Sequence, residues 1–126
     1  MNRYLIIALG AALGANARYL VGVWASERLG ASFPYGTFLV NITGSFILGF
    51  LITLAAGRLT LTPELRLFLA VGFLGSYTTF SSYAVESVTL WQQGGWWQAI
   101  VNIASNNLIG LIFALFGVFV ARWLGG

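Results

Sequence analysis

Seven of the eight residues from Ser76 to Tyr83 carry a hydroxyl, in a stretch, GFLGSYTTFSSYAVES, that lies within a long apolar run. Hydroxyls donate hydrogen bonds to anions, so a cluster of them inside a hydrophobic segment can solvate an ion that lipid excludes. Amides join them. Asn102 and Asn106 of NIASNN stand four apart on one face of a helix, with Ser105 and Asn107 beside them, and Thr37 and Asn41 repeat that spacing upstream. Such groups serve either as interhelical hydrogen bonds or as the lining of a shared polar path. Interhelical bonds in lipid contribute well under about 2 kcal/mol, while an amide left unpaired there costs more, so this many amides point to a wet path. Phe80 and Tyr83 lie at i and i+3, and the electropositive edge of an aromatic ring attracts an anion without holding it tightly.

These groups need a scaffold. The 126 residues are 59% hydrophobic and only 7% charged, and the mean hydropathy is +0.87, the composition of an integral membrane protein. The length fits one membrane domain, 1–126, of four spanning helices. With no Cys, no His and three acids, Glu27, Glu64 and Glu86, the chain lacks the side chains of thiol, histidine and metal-cage chemistry, which argues against an enzyme. Its six basic residues are all Arg and are scattered, giving no basic run for nucleic acid.

The apolar runs and their punctuation predict helices over about 4–25, 35–56, 64–91 and 96–123, all in one all-α fold. Thr62 is placed to cap the third helix, Pro63 to occupy its first turn and Glu64 to face its positive end. Gly72, Gly75 and the dense β-branched and hydroxyl residues predict a break in that helix, which would free backbone carbonyls and amides for an ion. Gly10 with Gly14, and Gly44 with Gly49, allow close helix approach. Trp91, Trp96, Trp97 and Trp123 sit at expected membrane interfaces. Arg3, Arg58, Arg66 and Arg122 fall on one side, against Arg28 and the inner Arg18, which favours cytoplasmic termini and leaves dual orientation open. Arg3 followed by apolar residues and Ala15-Asn16-Ala17 resembles a secretory signal, but the apolar character resumes in YLVGVWA and restores a spanning length. Arg18 either pairs with Glu86, the one carboxylate inside a span, or places a positive charge at a vestibule mouth.

GAxxGxxxRY in the first helix, PYGTxxVNxxGxxxxG in the second and GxLGxxTTFSxxxxE in the third resemble the Fluc fluoride channels, the fluoride exporters of the camphor-resistance type, over nearly the whole chain. That resemblance implies an antiparallel, dual-topology homodimer in the bacterial inner membrane, with two pores that pass fluoride selectively and passively out of the cytoplasm. It implies that Asn41, Phe80, Tyr83, Thr79, Ser81, Asn107 and Arg18 belong to the fluoride path and that Glu86 has a structural or vestibule role. It further implies a structural sodium ion on the dimer axis, held by backbone carbonyls at Gly75 and Thr78 of both subunits. The chain departs from the family pattern at Tyr83, where a second Phe is usual, at Gly75-Ser76, where two glycines are usual, and at Leu111, where several members carry a hydroxyl. The rival readings are a small multidrug-type, proton-coupled exporter, which needs a carboxylate in the first helix where this chain has Asn16 and Arg18, and a membrane scaffold that moves no ion.

Overall fold

The computed structural model describes residues 1–57 and 60–125. Asn2 opens the first helix by accepting the Tyr4 amide on its side-chain oxygen at 2.7 Å, and α1 (Arg3–Leu29) then runs unbroken to Gly30, whose φ of 89° turns the chain out of the helix. The helix therefore exceeds the expected 4–25 at both ends and carries Glu27 and Arg28 in its final turns. After Pro34, α2 (Tyr35–Ala56) follows the second apolar run. Arg58, one of the loop arginines in the orientation argument, lies outside the described residues.

The third apolar run forms two helices. In α3 (63–77), Thr62 Oγ1 accepts the Leu65 amide at 3.1 Å, Pro63 takes the first position and Glu64 the first turn. One α-helical turn leads into a π-helix, Leu67–Leu74, and a last α turn, Gly75–Tyr77. Thr78 (φ −84°, ψ 156°) and Thr79 (φ −149°, ψ 119°) are extended, and α4 (Phe80–Gln92) starts afresh with Thr79 Oγ1 accepting the Ser82 amide at 3.2 Å. The break thus falls one turn after Gly75, which remains helical: two β-branched residues adopt the extended conformation and the second is also a good N-cap. A turn with Gly94 at φ 83° leads to α5 (Trp96–Trp123), which widens into a π-turn over Ser105–Ile109.

Among the described residues there is no strand, and α1, α2 and α5 are each long and apolar enough to cross a membrane. Large apolar side chains such as Leu9, Leu13, Ile112, Leu115 and Phe119 point outward, as they do in a protein solvated by lipid. Trp91, Trp96, Trp97 and Trp123 are exposed near helix ends, where indole rings meet headgroups. The helices close on glycine. A Cβ at Gly14 would strike the Phe73 carbonyl and one at Gly10 the Phe68 carbonyl, so α1 lies directly on the π segment of α3. Gly49 meets the Ala114 carbonyl and Gly117 the Phe46 carbonyl, which brings α2 onto the second half of α5.

Gly14→Ala is therefore expected to destabilise the fold by about 1–3 kcal/mol, because backbone must move to admit the methyl. Gly110→Ala, whose Cβ meets open space, stays within about 0.5 kcal/mol of the parent. Thermal unfolding in detergent, followed by loss of monodisperse protein, distinguishes the two.

A candidate polar groove at the helix break

A helix break leaves peptide groups without their intrahelical partners, and in a membrane no water stands ready to replace them. At Thr79 the replacement is Asn41. Its Oδ1 accepts the Thr79 amide at 2.8 Å and its Nδ2 donates to the Thr79 carbonyl at 3.1 Å, so one side-chain amide from α2 pairs with both polar groups of the extended residue. The second Nδ2 hydrogen goes to Asn106 Oδ1 at 2.9 Å. Asn106 Nδ2 in turn donates to the side-chain oxygen of Asn102 at 3.0 Å, and the fully buried Asn102 donates to Ser87 Oγ at 2.9 Å. A continuous amide chain therefore ties α2 to α5, to the break and to α4. Single bonds of this kind contribute about 0.6 kcal/mol in a membrane, and linking them in one network makes them mutually dependent.

Beside the clasp lies an open groove of about 240 Å³, lined by Asn41, Ser45, Thr78, Thr79, Phe80, Tyr83, Asn106 and Asn107. The Phe80 and Tyr83 rings meet edge to face, with centroids 5.4 Å apart and planes at 62°. Thr79 also lines a second hollow, of about 420 Å³, with Arg18, Thr37 and Ser82. The break residue is thus shared by two polar hollows.

The structure brings together in the groove Asn41, Thr79, Phe80, Tyr83 and Asn107, and it places Arg18 in the adjoining hollow. Ser81 lies apart from the groove, exposed beside Thr37, Ser82 and Glu86, because a residue one step from Phe80 turns to another face of the helix. Arg18 and Glu86 do not pair with each other. Arg18 Nε donates to the Ser76 carbonyl at 3.1 Å, a group whose helical donor would be the Phe80 amide beyond the break, while Glu86 accepts from Thr37 Oγ1 at 2.6 Å. Each charge thus meets a neutral partner from a neighbouring element. Asn106 and Ser82 belong to the site although the family motif did not single them out. The i, i+4 relation of Asn102 and Asn106 was the signal for the former.

At Gly75 the carbonyl loses its usual helical donor, the Thr79 amide, to Asn41, and a Cβ built there meets only the Ala70 carbonyl at 3.6 Å. The Thr78 amide and hydroxyl both bond back to the Leu74 carbonyl, at 3.1 and 3.0 Å, and so close the end of α3. Among the described residues no three acidic, His or Cys side chains gather as a metal cage.

The fold and groove define a small all-helical membrane protein with a polar, aromatic-edged site built on an interrupted helix. The chain belongs to the CrcB-like, camphor-resistance family, whose model matches residues 5–118. It is 48% identical over 126 residues, the full length of both chains, to a protein of Chloroflexus aurantiacus named fluoride-specific ion channel FluC. Proteins of the same name from Legionella pneumophila strain Paris (46% over 121 residues, covering 96% of this chain and 90% of theirs) and Roseiflexus sp. (47% over 120 residues, covering 95% and 97%) are similarly related.

Asn41→Ala is expected to strip both polar groups of Thr79 of their partners. Hydrogen exchange at the Thr79 amide should accelerate by at least about tenfold, the scale of one lost buried hydrogen bond, while amides at the centres of α1 and α2 keep their protection.

Proposed function

We propose that this chain is a passive fluoride-selective channel of the bacterial membrane. The observation that carries the proposal is the meeting of Asn41, Thr79, Phe80, Tyr83 and Asn107 in one groove at the helix break, in a chain nearly half identical, end to end, to proteins named as fluoride channels. Fluoride is small and strongly hydrated. A path that selects it must replace its water with short-range donors and be too narrow for larger halides. Arg18 lines the hollow next to the groove together with Glu27, Thr79 lines both hollows, and the Phe80 and Tyr83 rings line the groove itself. The related proteins are named as ion channels, and nothing in the groove resembles a catalytic constellation.

The working unit is a homodimer of antiparallel copies with two pores. Phe80 is 77% exposed in the single chain, and Ser81 and Gly75 are exposed beside the break. Irregular backbone and hydroxyls at membrane depth are tolerated only where protein or a water-filled path covers them, and a second copy provides both. A sodium ion at the centre of that dimer fits the donor set: the Gly75 and Thr78 carbonyls of each copy are neutral oxygen ligands suited to a hard cation. Such an ion would fasten the two breaks together.

A proton-coupled exporter needs a titrating carboxylate in its transport path. Glu86 lies on α4 and is held by Thr37, Glu27 lines the Arg18 hollow from the last turns of α1, and α1 carries Asn16 and Arg18 where that class places its glutamate. Purified protein in liposomes is expected to release fluoride rapidly and electrogenically with little chloride release. Phe80→Ala should slow fluoride by at least about tenfold, on the scale of one lost contact to an ion, with the dimer intact by size-exclusion chromatography. Absence of fluoride release from verified dimers would defeat the proposal, and a scaffold that moves no ion would take its place.

A further inference from the structure

Nearly every side-chain donor that lines the groove is already committed to a protein acceptor. Asn41 gives one hydrogen to the Thr79 carbonyl and one to Asn106 Oδ1, while Asn106 gives its own to the carbonyl and side-chain oxygens of Asn102. Ser45 donates to the Asn41 carbonyl, Thr78 to the Leu74 carbonyl and Thr79 to Ser82 Oγ. These groups shape the groove, and their hydrogens are taken up by protein acceptors.

Tyr83 is the exception, and Asn107 makes it so. Asn107 Nδ2 lies 2.8 Å from the Ile103 carbonyl, an oxygen that can only accept, so the amide orientation is fixed with its nitrogen on that side. The same nitrogen lies 2.8 Å from the Tyr83 hydroxyl. The phenol oxygen must therefore accept from Asn107, and its own proton is left without an acceptor among the described residues. Tyr83 and Asn107 both line the groove. From this donor count we infer that the Tyr83 hydroxyl is the side-chain hydrogen-bond donor to the anion at the aromatic step, and that Asn107 is a positioning residue which holds the hydroxyl proton free for that contact. The inference rests on the fluoride reading and specifies its chemistry: a ring edge alone attracts an anion through its quadrupole, whereas a phenol O–H forms a directed bond to it. It also gives the tyrosine and the asparagine a joint purpose, since a phenol without a partner amide could turn its proton toward a protein acceptor instead.

The test is fluoride efflux from liposomes as a function of internal fluoride, with wild type, Tyr83→Phe and Asn107→Leu compared at equal amounts of verified dimer. Tyr83→Phe is expected to raise the fluoride concentration at half-maximal flux by about tenfold, the scale of one hydrogen bond to an ion, and Asn107→Leu to raise it in the same direction by about threefold. A merely structural role would lower the maximal flux at an unchanged half-maximal concentration, and that result in Tyr83→Phe overturns the donor assignment. The same result in Asn107→Leu alone overturns its positioning role. Wild-type dimers that release no fluoride would remove the channel reading itself, and this inference with it.

Discussion

The architecture rests on a requirement that membranes impose on every chain: a peptide group that leaves a helix must find another partner before it meets lipid. At Thr79 the requirement is met by one residue. Asn41 offers an oxygen and a nitrogen in the geometry of a peptide, and Thr79 receives both. With that clasp in place the chain can break between Tyr77 and Phe80, release the Gly75 carbonyl, and point two aromatic rings toward a polar groove. The rest of the fold supports it. Gly10 and Gly14 let α1 lie against the π segment before the break, and Gly49 and Gly117 let α2 and α5 approach closely enough for Asn41 and Asn106 to bond. Arg18 reaches across from α1 to occupy the Ser76 carbonyl that the break also leaves open.

Much of this was legible in the chain because membrane proteins announce their polar groups by contrast. Hydroxyls and amides inside apolar runs marked Thr79, Asn41 and the α5 asparagines, and the order of apolar runs marked the helices. What composition could not supply was the partner of each group. Glycines with β-branched and hydroxyl residues suggested a break at Gly75 and Thr78; the extended residues are Thr78 and Thr79, since the decisive group, Asn41, lies on another helix. Arg18 and Glu86 invited a pairing by sign alone, yet each found a neutral partner from an adjacent element. The π segments left no mark in the apolar periodicity of residues 67–74, and the wide turn over Ser105–Ile109 likewise follows from packing that involves more than one helix.

The committed donors suggest how a conducting site differs from a binding site. An anion cage with many free N–H groups would hold fluoride and release it slowly, whereas conduction needs attraction weak enough to leave. A groove whose amides are bonded to one another keeps few of them free to grip an anion. In the proposed channel the remaining attraction would come from the aromatic rings and from the one phenol proton. Weak attraction of this kind suits a passive channel.

The central claim, that this groove passes fluoride and refuses chloride, is tested most directly by the reversal potential of purified protein in a planar bilayer with opposed fluoride and chloride gradients. Reversal is expected at the fluoride equilibrium potential, unmoved by chloride. Reversal near the chloride potential, or a current that follows the proton gradient, would contradict it.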